Sequence, residues 1–291
     1  MIRRDPLACL LAMQTASGAF PSTVDGGAVR LADETCFVTS SVVLLLLDIS
    51  NSIGKLPDLD QAIARGLAFI ERCADPDLPG AFRFYPRRAQ GFQVRYDLPP
   101  DADDTALAWM ALVGAGSRSA QQAADAVEPL FDRIRIRARS RGDAPWVRTG
   151  VYRTWLDGSL AVNPADLCVN ANILACRAIA GLPRLPEVVE TLRSTRRAWT
   201  ATPGNLRVLA PYYAHPDEVE IAIARAVRTG AMPQDGLSAT PGPAPDDQPL
   251  YCNSHGRPIW RSPALHRARH LQRALIQPKE IVHAPDAAIC S

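Results

Sequence analysis

Two kinds of hydrophobic pattern alternate along the chain. In the first kind nearly every position is apolar or small, which is typical of a helix buried on all sides. In the second kind apolar residues recur at helical spacing opposite a charged face, which is typical of a helix with one side in solvent. The first kind covers residues 35–47, 105–113, 169–180, 219–227 and, with more charge, 264–275, and the second covers 59–74, 120–136 and 185–199.

This alternation predicts an all-α fold. No segment alternates apolar and polar residues between turn signals convincingly enough to predict a strand. Proline and glycine interrupt the pattern between segments, where helices should stop. Buried and half-exposed helices that alternate every few tens of residues fit a closed ring or a solenoid of helix pairs. We therefore predict one helical domain over residues 1–291, with a mobile loop in the proline- and glycine-rich stretch 234–249.

Composition and charge exclude several classes of function. The formal net charge of +2 is too small for a nucleic-acid-binding protein. The longest strictly apolar run, residues 42–47, is far shorter than the roughly 20 residues that a membrane-spanning helix needs, so we predict no transmembrane segment. The seven cysteines have no clustered spacing and mostly lie in apolar stretches, as reduced thiols do. We therefore predict a cytoplasmic protein.

A run of alternate arginines is the sequence feature that suggests a surface partner. The arginines stand at positions 133, 135, 137, 139 and 141. Such a run fits a peripheral contact with a diphosphate or an anionic membrane surface, and it also fits a solvated helix end. Alternate residues do not share one face of a helix, which favours the solvated end.

Two short glycine-aromatic segments follow helical patterns. Gln14, Gly18 and Phe20 have the spacing of the Q-x-x-x-G-x-W turn that tightens helix pairs in squalene-type cyclases, with phenylalanine in place of tryptophan. A second, poorer copy ends in Gly80 and Phe82. The two segments resemble degenerate copies of one turn.

The sharpest motif opens a buried helix. Asp101, Asp103, Asp104 and Thr105 match the D-x-D-D-T-A box of class II terpene cyclases. The chain thus resembles the terpenoid cyclase and protein prenyltransferase superfamily, which implies a single α/α toroid and protonation-initiated cyclisation of an isoprenoid or similar apolar alkene. By this resemblance Asp103 is the proton donor and Asp101 and Asp104 orient or tune it. Burial and neighbouring carboxylates raise the pKa of an aspartate, so such a group can stay protonated.

The resemblance also implies an aromatic cavity beside the aspartates. Aromatic faces stabilise carbocations, and Asn170 lies at the head of another buried helix, so these side chains are predicted to bind substrate. The aromatic candidates are Phe37, Trp109, Trp155, Tyr212, Tyr213, Tyr251 and Trp260. Because only 6% of the residues are aromatic, a short substrate is expected. No cofactor is expected, except Mg²⁺ if the substrate carries a diphosphate.

Other interpretations of the same residues stay open. Aspartates at a helix start also act as ordinary caps, in which case the protein is a non-catalytic toroid that binds a lipid or a partner. Asp166 and Cys168 resemble, weakly, the zinc pair of protein prenyltransferases, with a later histidine such as His255 or His266 as a third ligand. Zn²⁺ accepts one carboxylate, one thiolate and one imidazole with an open fourth position. This alternative predicts a zinc-dependent transferase.

Overall fold

The computed structural model describes residues 5–25, 29–87, 98–234, 247–253 and 257–276. Most of the predicted loop at 234–249 therefore lies outside the described residues. The described residues form ten helices and four strands. The helices are α1 (Pro6–Leu11), α2 (Cys36–Ile53), α3 (Pro57–Arg72), α4 (Ala102–Gly114), α5 (Ala120–Ile134), α6 (Leu167–Ile179), α7 (Pro186–Ala201), α8 (Leu206–Leu209), α9 (Pro216–Arg228) and α10 (Pro263–Ile276). The strands are β1 (Pro21–Asp25), β2 (Arg30–Glu34), β3 (Tyr251–Cys252) and β4 (Pro258–Arg261).

The all-α prediction is wrong, because the strands form one antiparallel sheet with the order β2-β1-β4-β3. β1 and β2 form a hairpin in which Pro21 pairs with Glu34 and Asp25 with Arg30. The signal for this hairpin is short: Ser22 and Val24 alternate with more exposed neighbours, and Asp25 is followed by two glycines. β3 and β4 are too short to show a period. β4 joins the sheet by pairing with β1, far away in sequence, and β3 pairs with β4.

Buried and half-exposed helices occupy different layers. The helices α2, α4, α6 and α9 pack against one another in chain order, and α10 packs against α2. The amphipathic helices lie outside them: α3 packs against α2, α5 against α4 and α6, and α7 against α6. Every residue of α4 from Ala102 to Leu112 is buried, as expected for the apolar residues that follow Thr105, and the polar first turn is buried with them. The buried apolar side chains from Leu7 to Ala268 form one continuous cluster.

A glycine turn precedes each of the helices α2, α4 and α6. Gly18, Gly80 and Gly150 have φ angles of +89°, +84° and +100°, which side chains with a Cβ rarely adopt. Each glycine also lies against an amphipathic helix, the one that comes directly after the buried helix in the chain. A Cβ on Gly18 would stand 2.3 Å from the backbone oxygen of Arg65 in α3. The sequence analysis found the first two turns and missed the third.

The same hydrogen bond attaches each glycine turn to its buried helix. Two residues after the glycine, an aromatic residue donates its backbone N–H to the side chain that lies four residues after the helix N-cap. The three bonds run from Phe20 to Thr39 (3.2 Å), from Phe82 to Thr105 (2.9 Å) and from Tyr152 to Asn170 (2.8 Å). A buried backbone donor without a partner is costly, so this bond sets how the turn meets the helix.

One described helix, α2, is long and apolar enough to cross a membrane when judged by length and composition. More than half of that stretch is buried inside the protein, as expected for a core helix. The described residues therefore contain no clear transmembrane segment.

Candidate functional site

A cavity of about 200 Å³ lies at the N-terminal end of α4, between the buried helices and the sheet. Its lining is mainly apolar and aromatic, and it contains all three aspartates of the box. Nine of the predicted site residues meet here: Asp101, Asp103, Asp104, Phe37, Trp155, Tyr212, Tyr213, Tyr251 and Trp260. The fold thus joins residues from segments up to 223 positions apart, Phe37 to Trp260, in one hollow.

Asp101 is the N-cap of α4. Its Oδ1 atom accepts hydrogen bonds from the backbone N–H groups of Asp103 and Asp104, both at 2.8 Å. The capping interpretation is therefore correct for this residue. However, the three side chains do not lie in open water, because Asp101, Asp103 and Asp104 are only 5%, 7% and 1% exposed. A solvent-facing cap does not account for that burial.

Asp101 and Asp104 form a buried pair of neighbouring carboxyl groups. Burial raises the pKa of Asp101 to about 6, even though the hydrogen bond to Asp104 lowers it. Burial, together with the charge of Asp101, raises the pKa of Asp104 well above its ordinary value. The Oδ1 atom of Asp104 has no hydrogen-bond partner among the described residues. Two close carboxyl groups in an apolar setting retain a proton between them.

Asp103 has a different environment. Asn172 on α6 donates its amide N–H to Oδ1 at 2.6 Å, and the Tyr213 hydroxyl donates to Oδ2. Burial raises the pKa of Asp103, while these two hydrogen bonds and the charge of Arg225 oppose the rise. Both oxygens of Asp103 are thus held by donors that stabilise its ionised form.

A polar chain runs from Asp103 away from the cavity. Arg225 on α9 donates to the Oδ1 atom of Asn172, which fixes the amide so that its N–H group faces Asp103. Burial, together with the charge of the neighbouring Arg228, lowers the pKa of Arg225 to about 10. The chain therefore connects the carboxyl group to a buried cation.

Aromatic rings form the opposite wall of the cavity. Tyr251 of β3 stacks on Trp260 of β4 with centroids 5.7 Å apart, and Phe37 meets Tyr251 edge-on at 5.0 Å. Trp155 donates its indole N–H to the Tyr212 hydroxyl at 2.7 Å. Rings held in this way present a mixture of faces and edges to the hollow.

Sequence reasoning missed part of this wall. Phe84 packs edge-on against Tyr251 and Trp260, and Tyr85 also lines the cavity. Behind the wall, the buried Asp33 of β2 accepts hydrogen bonds from Tyr85 at 3.1 Å and from Trp260 at 2.9 Å. The aromatic run that begins at Phe82 was a usable sequence signal for Phe84 and Tyr85. No sequence signal pointed to Asp33, because its role depends on the sheet, which was not predicted.

Two predicted substrate-binding residues lie outside the cavity lining. Trp109 donates its indole N–H to the backbone oxygen of Gly80 at 2.8 Å and packs edge-on against Phe82. Asn170 bonds the backbone of Tyr152 in both directions, as acceptor at 2.8 Å and as donor at 3.0 Å. Both residues attach glycine turns to the core.

No family model, no curated protein and no solved structure matches this chain.

The residues of the zinc alternative are brought together only in part. Asp166 is the N-cap of α6 and accepts the backbone N–H groups of Cys168 at 2.8 Å and Tyr212 at 3.3 Å. Burial raises the pKa of the Cys168 thiol well above its ordinary value. In the ranges that the structure describes, no three His, Cys, Asp or Glu side chains form a group suited to a metal ion. His255 lies outside those ranges, so the zinc site stays a prediction.

The buried carboxyl groups predict that stability falls as the pH rises. Burial raises the pKa of Asp166 to about 7, and that of Asp101 to about 6. Above the pKa of the unfolded chain, near 4, the folded protein holds protons that the unfolded chain has lost, so the free energy of unfolding should decrease between about pH 4 and 7.

Denaturant unfolding at several pH values measures this slope. Asp166→Asn, which retains an oxygen for the cap, should make the decrease shallower by at most about 1.4 kcal/mol per pH unit. Glu128→Gln, at an exposed carboxylate on α5, is the control and should leave the slope unchanged. An equal slope in wild type and Asp166→Asn would contradict a protonated Asp166.

Proposed function

We propose that this protein is a class II terpene cyclase-like enzyme, which cyclises a short apolar isoprenoid alkene by proton transfer from Asp103. One observation carries the proposal: three buried carboxyl groups line a mainly apolar cavity with an aromatic wall. Protonating an alkene needs an acid that is neutral before the reaction and readily ionised during it. The surroundings of Asp103 supply both conditions.

The neutral state of Asp103 comes from burial. Burial raises the pKa of Asp103, and a further negative charge beside Asp101 and Asp104 is unfavourable, so we place a proton on Asp103 before the reaction. The acidity comes from the donors around it. Once the proton has left, Asn172 and Tyr213 donate to the two carboxylate oxygens, and Arg225 lies behind Asn172. These groups are already in place, so they stabilise the developing charge without reorganisation.

The proposed reaction is a net isomerisation. The Asp103 O–H bond breaks, its proton forms a C–H bond with the π electrons of the alkene, and a tertiary cation is left on the other carbon. A second alkene attacks the cation and closes a ring. A neighbouring carbon then loses a proton to a water molecule or a backbone group. Atoms and electrons balance, and protonation of Asp103 from solvent restores the acid.

The aromatic wall suits the cationic intermediates. The rings of Phe37, Tyr213, Tyr251 and Trp260 line the same hollow as Asp103. A cation over an aromatic face is stabilised by about 0.5–2 kcal/mol, and most strongly where water is excluded. A cavity of about 200 Å³ is smaller than most ligand pockets, which favours a short acyclic substrate.

Deuterium incorporation tests the proposed function. The full-length protein is incubated in D₂O with a panel of short acyclic isoprenoids, as alcohols, aldehydes and diphosphates, and the products are analysed by mass spectrometry and NMR. Protonation-initiated cyclisation places one deuterium on the former alkene carbon of a cyclic product. A cyclic product without deuterium would indicate another initiation step, and no cyclic product from any member of the panel would contradict the proposal.

A further inference from the structure

We propose that a second site, an arginine-lined groove between α2, α9 and α10, binds a phosphate group. Arg225 and Arg228 come from α9, while Arg269 and Arg273 come from α10. These spacings place each pair on one side of its helix, and all four side chains line the same groove. Guanidinium groups that converge in this way match the oxygens of a phosphate.

The groove carries more positive than negative charge. Arg269 is neutralised by Glu218, which it contacts at 2.7 and 2.8 Å. Asp48 is the acidic side chain in the lining, and Gln272 donates to it. Among the lining residues, Arg225, Arg228 and Arg273 then face the single carboxylate of Asp48. From outside the lining, the charge of Asp103 acts on Arg225 and that of Asp217 acts on Arg273. The pKa of Arg273 is lowered by burial and by Arg269, as expected where cations crowd together.

Two donors in the groove lack partners. Ser41 is 2% exposed, and its hydroxyl oxygen has no hydrogen-bond partner among the described residues. The Nη1 atom of Arg273 is buried and also without a partner there. Leaving buried donors unpaired costs about 1–3 kcal/mol each, and a bound oxyanion would satisfy both.

The size of the groove limits the ligand. Its volume is about 40 Å³, whereas one water molecule needs roughly 10–15 Å³ by the same kind of measure. The groove therefore holds a small oxyanion such as phosphate or the terminal phosphate of a larger molecule. A nucleotide base or a hydrocarbon chain would have to stay outside.

The groove is connected to the cavity through one residue. Arg225 lines the groove and also donates to Asn172, which in turn donates to Asp103. An anion next to Arg225 would offset part of the positive charge that acts on Asp103. If the proposed function holds, bound phosphate should raise the apparent pKa in the pH profile of turnover. The binding itself does not depend on that function.

Calorimetric titration of the full-length protein with inorganic phosphate tests the site. At constant ionic strength we expect saturable binding, weakened about tenfold or more by Arg228→Gln and by Arg273→Gln, because each variant removes one charged hydrogen-bond donor. The matched control is Arg139→Gln, an exposed arginine outside the groove, which should bind phosphate like the wild type. Equal weakening by Arg139→Gln would overturn the proposal, and so would the absence of saturable binding both to free phosphate and to the phosphatidic acid vesicles described below.

Ser41→Ala adds a test in which the substitution should stabilise the protein when no phosphate is present. Removing an unpaired buried hydroxyl should raise the melting temperature without phosphate and reduce the additional stabilisation that phosphate produces. A variant with lowered stability and unchanged phosphate response would count against the site.

A second arm identifies the source of the phosphate. Phosphatidylcholine vesicles with and without phosphatidic acid replace free phosphate. Binding that requires phosphatidic acid and the groove arginines, without binding of free phosphate, supports the site and assigns it to a lipid headgroup. Asp103→Asn should bind phosphate normally, so loss of the proposed cyclase activity and loss of the phosphate site are separable.

Discussion

Asp103→Asn should lower turnover by about 10³-fold, in the middle of the range for general acid catalysis. The reason is that an amide does not supply the proton, while its shape is close to that of the acid. Its oxygen still accepts from Asn172, and its NH₂ group donates to the Tyr213 oxygen once that hydroxyl has rotated. Turnover is measured with a substrate that the D₂O experiment identifies. The substrate KM should change little, because the cavity wall is intact.

This variant is informative because the three aspartates have different roles at the start of α4. Asp101, and not Asp103, caps α4, so Asp103→Asn leaves both capping hydrogen bonds in place. The control is Asp75→Asn, which changes another buried aspartate that lies outside the cavity and pairs with Arg83 at 2.8 Å. It should retain turnover within a few-fold. If Asp103→Asn is folded and fully active, Asp103 is not the acid.

Gly18→Ala should reduce the free energy of unfolding by about 3 kcal/mol or more. The strain of a positive φ at alanine costs about 1–2 kcal/mol, and the new Cβ would lie 2.3 Å from the backbone oxygen of Arg65. Backbone cannot rotate away as a flexible side chain can, so either α3 or the turn at Gly18 must move. Equilibrium unfolding in urea measures the loss.

Gly116→Ala separates the two causes. Its φ angle is +72°, but no atom lies within 4 Å of the added Cβ, so this variant carries the backbone strain without the collision. We expect a loss of about 1 kcal/mol for Gly116→Ala. Equal losses for the two variants would show that the contact between Gly18 and Arg65 does not matter.

The three glycine turns show which structural features a local sequence pattern can predict. The first two were visible because Gly-Ala-Phe occurs twice, at Gly18 and at Gly80. The third, at Gly150, has valine and tyrosine after the glycine, and its helix uses Asn170 where the others use threonine. An amide oxygen and a hydroxyl oxygen can each accept a hydrogen bond from a backbone N–H, so the same hydrogen bond forms although the residue type differs.

The sequence by itself determined the helices and the placement of the aspartate box. Periodicity is a local property, because a helix buries one face or all faces according to residues a few positions apart. For the same reason Asp101 was recognisable as a residue at the start of a buried helix.

Only the tertiary structure decided the sheet, the wall of the cavity and the arginine groove. Trp260 reaches the hollow because β4 pairs with β1, some 235 residues away in the chain, and that pairing depends on backbone hydrogen bonds that no local pattern encodes. The burial of Asp103 likewise arises from Asn172 and Tyr213 packing over it. Long-range contacts of this kind set the dielectric environment of a carboxyl group, and thus its chemistry.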